Sequence, residues 1–156
     1  MPSQCIDQYV VFWEQNNAQP FATKIQLTRP AIASQPAFDL HFQDLLSHYP
    51  KVHILNLLGT RDHEALLTKA YEDHLMQTIS NDTTVARNVE MSNFDFHARA
   101  RAGGIETLPD QLKREDRVTN TSDMFGYCLV TIGEKGEFRD VVVSQEGVFR
   151  TNCLDW

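Results

Sequence analysis

Residues 52–58 read VHILNLL, and Gly59 closes the run. The stretch is short and apolar apart from His53 and Asn56, which suits a strand covered on both faces. Toward the C-terminus, Thr60 or Asp62 offers a cap for a helix in which Leu67, Tyr71 and Leu75 recur every four residues. A polar loop is expected over 80–84 and a further strand within 85–96. Strand, helix and strand at that spacing make a βαβ unit with parallel strands. Toward the N-terminus, Phe38, Phe42, Leu45, Leu46 and Tyr49 line one face of a helix. Ser34 reads as its N-cap, Pro36 falls in its first turn, and Pro50 stops it.

The flanks extend this unit. Residues 9–15 and 24–28 read as two strands of a hairpin. Residues 97–118 have helical composition broken by Gly103, Gly104 and Pro109, with a polar loop at 119–123. The stretches 125–132 and 138–143 flank Gly133-Glu-Lys-Gly136, a strong hairpin signal. Residues 147–152 are a last extended piece leading into Cys153. The fold class is therefore α/β: a mixed sheet of parallel βαβ strands plus an antiparallel hairpin, with helices packed on the faces.

The 156 residues amount to about one domain. The charge balance is 14 basic against 21 acidic side chains, a net −7. That argues against a nucleic-acid partner and against membrane attachment by bulk charge alone. No apolar run approaches the ~18 residues of a membrane-spanning helix, and no signal peptide is visible at the start. Cys5, Cys128 and Cys153 are odd in number and widely spaced, as reduced cytosolic thiols would be. The sequons at Asn81 and Asn120 read as chance matches. The six histidines have no metal-site spacing, so no metal and no cofactor are expected.

The chemistry points to the tail, GVFRTNCLDW at 147–156. A cysteine that follows a strand and opens a loop is where thiolate phosphatases place their nucleophile. In that design a loop of backbone N–H groups wraps the phosphate, and an arginine and a helix N-terminus follow. These favour both the anion and the thiolate.

Taken together, VFWEQ at 11–15, KIQLTR and SQPAFDLHFQDLLSHY within 24–49, VHILNLLG at 52–59, NFDFH at 93–97 and QEGVFRTNCLD at 145–155 resemble the Sac (synaptojanin-type) phosphoinositide phosphatases. The blocks occur in the family's order and span residues 9–155. The resemblance implies a partial, incomplete Sac catalytic core over 9–156 preceded by a short tail at 1–8. It implies Cys153 as nucleophile and Asp155 as a loop acid, with Asn152 and Arg150 holding the loop and bound phosphate. It also implies a phosphoinositide headgroup as substrate, with peripheral contact to the cytosolic face of membranes.

The family motif continues from its Asn-Cys through Cys-Leu-Asp-Arg-Thr, whereas this sequence has Trp156 in the second cysteine's place and no arginine beyond it. An internal fragment of a larger phosphatase, inactive by itself, is the resulting expectation. A non-catalytic interaction module is the rival. Three features carry a plainer reading. Asp95 and His97 end a strand and order a turn, Asn56 hydrogen-bonds a loop, and Arg99, Arg101, Lys113 and Arg114 form a solvated helix face rather than a lipid contact.

Overall fold

A computed structural model describes residues 11–16, 24–133 and 135–153. Its centre is a parallel three-stranded sheet in the order β4-β3-β7. The strands are β3 (Val52–Asn56), β4 (Val89–Asn93) and β7 (Val148–Asn152). The expected parallel pair is β3 with β4, in register Val52↔Val89 to Asn56↔Asn93. The last extended piece also joins this sheet. It lies along the other side of β3, from Val52↔Val148 to Asn56↔Asn152.

Every residue of β3 is buried, His53 and Asn56 included, as a strand covered on both faces requires. The period of two then sorts side chains onto two faces. Val52 and Ile54, with Val89, Met91 and Val148, pack against Phe38, Phe42, Tyr71 and Leu75. These come from α1 (Ala31–His48) and α2 (Asp62–Asn81). Leu55 and Phe149 on the other face pack with Phe94, Leu108 and Val118. That layer is α4 (Phe96–Gly103), α5 (Leu108–Lys113) and α6 (Asp116–Phe125). The sheet is thus sandwiched between two helical layers, the α/β arrangement expected from the sequence.

Two antiparallel pairs flank the sheet. β1 (Trp13–Asn16) pairs with β2 (Lys24–Leu27), and β5 (Leu129–Ile132) pairs with β6 (Phe138–Val143). Both were expected as hairpins. The second turns through Gly133 and Gly136, the latter at φ 80°, a conformation glycine adopts without steric cost.

Several boundaries differ from expectation. α1 begins at Ala31, behind Pro30, so Ser34 is not its cap but a buried residue of its first turn. Pro36 consequently sits in the second turn. The N-cap of α2 is Arg61, with no side-chain hydrogen bond, rather than Thr60 or Asp62. The loop expected at 80–84 is mostly helix: α2 runs to Asn81, and Asp82 caps α3 (Thr83–Asn88) by accepting from the amides of Thr84 and Val85. One short capping side chain replaces a loop. The loop expected at 119–123 lies inside α6, whose buried Val118, Thr121 and Phe125 supply the helical spacing. Polar residues between them masked that period. The break expected within 97–118 is present at Gly104, at φ 85°. The expected start of the domain at residue 9 falls outside the described residues.

Candidate functional site

In a parallel sheet whose connections leave a central strand in opposite directions, a crevice forms beyond the C-terminal strand ends. Here α2 and α3 lead from β3 to β4, and the segment from α4 to β6 leads from β4 to β7 on the far side of β3. The C-terminal ends of β3, β4 and β7 therefore define the edge where a ligand would sit. Cys153 follows β7 directly at this edge, half-buried. Asp155 lies outside the described residues.

The edge is tied together by backbone and side-chain bonds. Leu57 N–H donates to the carbonyl of Asn152 (2.9 Å), and Phe94 N–H to that of Asn56 (2.8 Å). Asp95 joins two loops. One carboxylate oxygen accepts from Thr60 N–H (3.0 Å) and hydroxyl (3.1 Å), and the other accepts from Ala98 N–H (2.8 Å) at the start of α4. Burial pushes the Asp95 carboxyl upward, but the Thr60 and Ala98 hydrogen bonds and nearby Arg101 outweigh it and hold the group below its usual value. Glu64 accepts from Gly59 N–H at 2.6 Å and faces His97 at 3.9 Å. Asp95 thus orders the turn, as its plainer reading held, and Glu64 braces the neighbouring loop.

Beneath Cys153, Arg150 and Asn152 of β7 face the α1–α2 layer. Arg150 is 8% exposed. Its Nε donates to His41 Nε2 at 2.9 Å, and its guanidinium lies 5.3 Å from the Tyr71 ring centroid. Burial, reinforced by Arg150 and opposed by Asp44, lowers the His41 pKa to about 4, so the imidazole is neutral and can accept. Arg150 is committed to this internal contact, which anchors β7 to α1. Asn152 is buried beside Tyr71. Asn56 donates to the Thr68 hydroxyl (3.1 Å) and to Asn93 Oδ1 (2.9 Å). Its partners are therefore a helix and a strand, not the loop expected from the sequence.

The basic residues near α4 and α5 face solvent. Arg99 pairs with Glu115 at 2.5 Å and Lys113 lies 3.8 Å from Asp110, which agrees with the solvated-face reading. Among the described residues no group of three or more His, Cys, Asp and Glu side chains is placed to hold a metal, and no helix is long and apolar enough to cross a membrane. His41, Glu64 and Thr60 were not legible as site neighbours, since they act through fold-dependent contacts. Tyr71 had a helical-period signal, but only for the core.

The fold and the edge define an α/β domain that presents a cysteine at the end of a parallel strand. Residues 11–101 match the SacI homology domain family, and the chain belongs to that family. It is similar to inositol-1,4,5-trisphosphate 5-phosphatase 1 of Schizosaccharomyces pombe (35% identity), human synaptojanin-1 (35%) and the polyphosphatidylinositol phosphatase INP53 of Saccharomyces cerevisiae (33%). Each alignment covers 93% of this chain, but only 12%, 8% and 12% of the respective relative.

Proposed function

We propose that this chain contributes the nucleophile-bearing strand of a phosphoinositide phosphatase, with Cys153 as the nucleophile. The observation that carries the reading is the position of Cys153, directly after β7 at the C-terminal edge of the parallel sheet. Relatives named for polyphosphatidylinositol phosphatase activity and as synaptojanins support the substrate class. The thiolate attacks phosphorus, an S–P bond forms, and the P–O bond to the inositol ring breaks. Asp155 protonates the departing oxygen. Water then cleaves the S–P bond, releasing phosphate and restoring the thiolate. Asn152 and Arg150 serve this site from below, holding the strand end. The substrate is a lipid headgroup reached by peripheral contact at the cytosolic face of a membrane.

A polypeptide confined to residues 1–156 has no arginine after Cys153. Loss of one electrostatic clamp on a transition state costs about 100- to 1,000-fold, so this polypeptide by itself is expected to show no turnover above background. The test is a graft of residues 11–153 into the matching segment of the S. cerevisiae polyphosphatidylinositol phosphatase, assayed on a soluble phosphoinositide. Activity that Cys153→Ser abolishes supports the reading. Activity that survives Cys153→Ser overturns it. Turnover by the 1–156 polypeptide, lost on Cys153→Ser, would refute its inactivity while leaving the nucleophile in place.

A further inference from the structure

A second concave feature lies at the opposite end of the sheet from Cys153. β3 and β4 start there, at Val52 and Val89, and the length of the strands puts this end about 16 Å from the Cys153 edge. A cavity of about 50 Å³ opens between the start of β3, the junction of α3 with β4, and the last turns of α6. Lys51, His53, Arg87, Glu90, Thr121 and Met124 line it. One water needs about 10–15 Å³ of such space, so the cavity takes a group of roughly four or five heavy atoms but not an inositol ring.

The charge here runs against that of the chain, which is −7 overall. Lys51 and Arg87 are exposed, and among the described residues neither has a carboxylate within ion-pair distance. The Lys51 ammonium instead donates to the Met124 thioether at 3.2 Å, a weak acceptor. Two cations thus share the wall with one carboxylate, Glu90, and Arg117 adds positive charge near His53. His53 forms the inner wall at 1% exposure. Its Nδ1 pairs with the Thr121 hydroxyl (3.2 Å) and its Nε2 with the Ser92 hydroxyl (3.0 Å). Burial lowers the His53 pKa, with Glu90 opposing and Arg117 reinforcing, so the ring is neutral. An ammonium and a guanidinium that lack carboxylate partners and converge on one small cavity suit phosphate, the first as a point charge and the second as a fork of donors. We propose that this cavity binds a single phosphate group, held by Lys51 and Arg87, with the Thr121 hydroxyl on its wall. The inference is independent of the reading of Cys153 as nucleophile.

The test is an NMR titration of the 156-residue chain with inorganic phosphate, at an ionic strength held constant with chloride. Amides of residues 51–53, 87–90 and 121–125 are expected to shift and saturate. The double variant Lys51→Gln/Arg87→Gln, which changes only exposed side chains, is expected to bind at least about tenfold more weakly, since hydrogen bonds to charged groups are lost. A second arm uses phosphatidylcholine vesicles with and without a phosphatidylinositol monophosphate, read by co-sedimentation. Saturable binding of either probe that the double variant loses supports the site. Free phosphate alone then marks a soluble ligand, and the vesicles mark a lipid headgroup. Shifts confined to residues near Cys153, or binding that the double variant retains, overturn the proposal. Binding of neither probe also overturns it, and a lower Tm in the double variant would then show that Lys51 and Arg87 only offset the carbonyl ends of α3 and α6.

Discussion

Strand β3 and the β5–β6 hairpin are built from similar β-branched and aliphatic residues, yet they end in opposite environments. All five residues of β3 are buried between two helical layers. In the hairpin, Ile132 is 65% exposed and Val142 57%. β3 gains its place by having a partner strand on each side and a helix layer on each face. The hairpin has only its own two strands, and a lone two-stranded hairpin is marginal in water. Composition alone therefore does not set stability here; cover does. The candidate site lies at the end of β7, which pairs along this covered strand, so a rigid neighbour holds its position.

The comparison is broken most strongly by cutting into the covered side. Phe38, fully buried against Phe42 and Tyr71, is expected to cost about 3–5 kcal/mol on replacement by alanine, read from urea unfolding. The equivalent cut in the hairpin, Val142→Ala, is expected within about 0.5 kcal/mol of the native chain. Equal losses at the two positions would show that the hairpin is covered after all.

A smaller effect is expected at the rim of the sheet. Asp95→Ala removes the α4 cap and the Thr60 clamp together, at about 1–2 kcal/mol by the same unfolding measurement. The amides of α4 should then exchange faster while those of β3 do not. Uniform acceleration would contradict a local role.

The pH response sharpens the contrast further. His41, His53 and His74 are all held below the usual histidine value, in each case chiefly by burial. The unfolded chain therefore takes up protons before the folded one does. Stability is full above about pH 6.5 and declines as pH falls from there toward the folded His41 value of about 4. His41→Gln, which keeps an acceptor for Arg150, should flatten part of that decline in Tm. A native chain with no loss of Tm between neutral pH and pH 5 would contradict these placements.

The elements legible in the sequence were those with a clear period. β3 announced itself by a short run that is apolar apart from His53 and Asn56. The Leu67, Tyr71, Leu75 face of α2 and the glycine-flanked hairpin were equally direct. The two segments expected as polar loops turned out helical because Asp82 caps α3 and because Val118, Thr121 and Phe125 space the buried face of α6 among polar neighbours. The place of Cys153 directly after a strand was legible from the extended run at 147–152. The support beneath it was not, since His41 meets Arg150 across 109 positions of chain and Asn56 comes level with Asn93 and Asn152 only once three strands align. Long-range register is a property of the assembled sheet and leaves no local pattern.

The most direct measurement is a rapid-quench search for a phosphorylated cysteine in the grafted enzyme during turnover of a soluble phosphoinositide. Mass spectrometry should place the phosphate on Cys153, with the signal absent in Cys153→Ser. Sustained turnover with Cys153 never modified, and undiminished in the serine variant, would contradict the account.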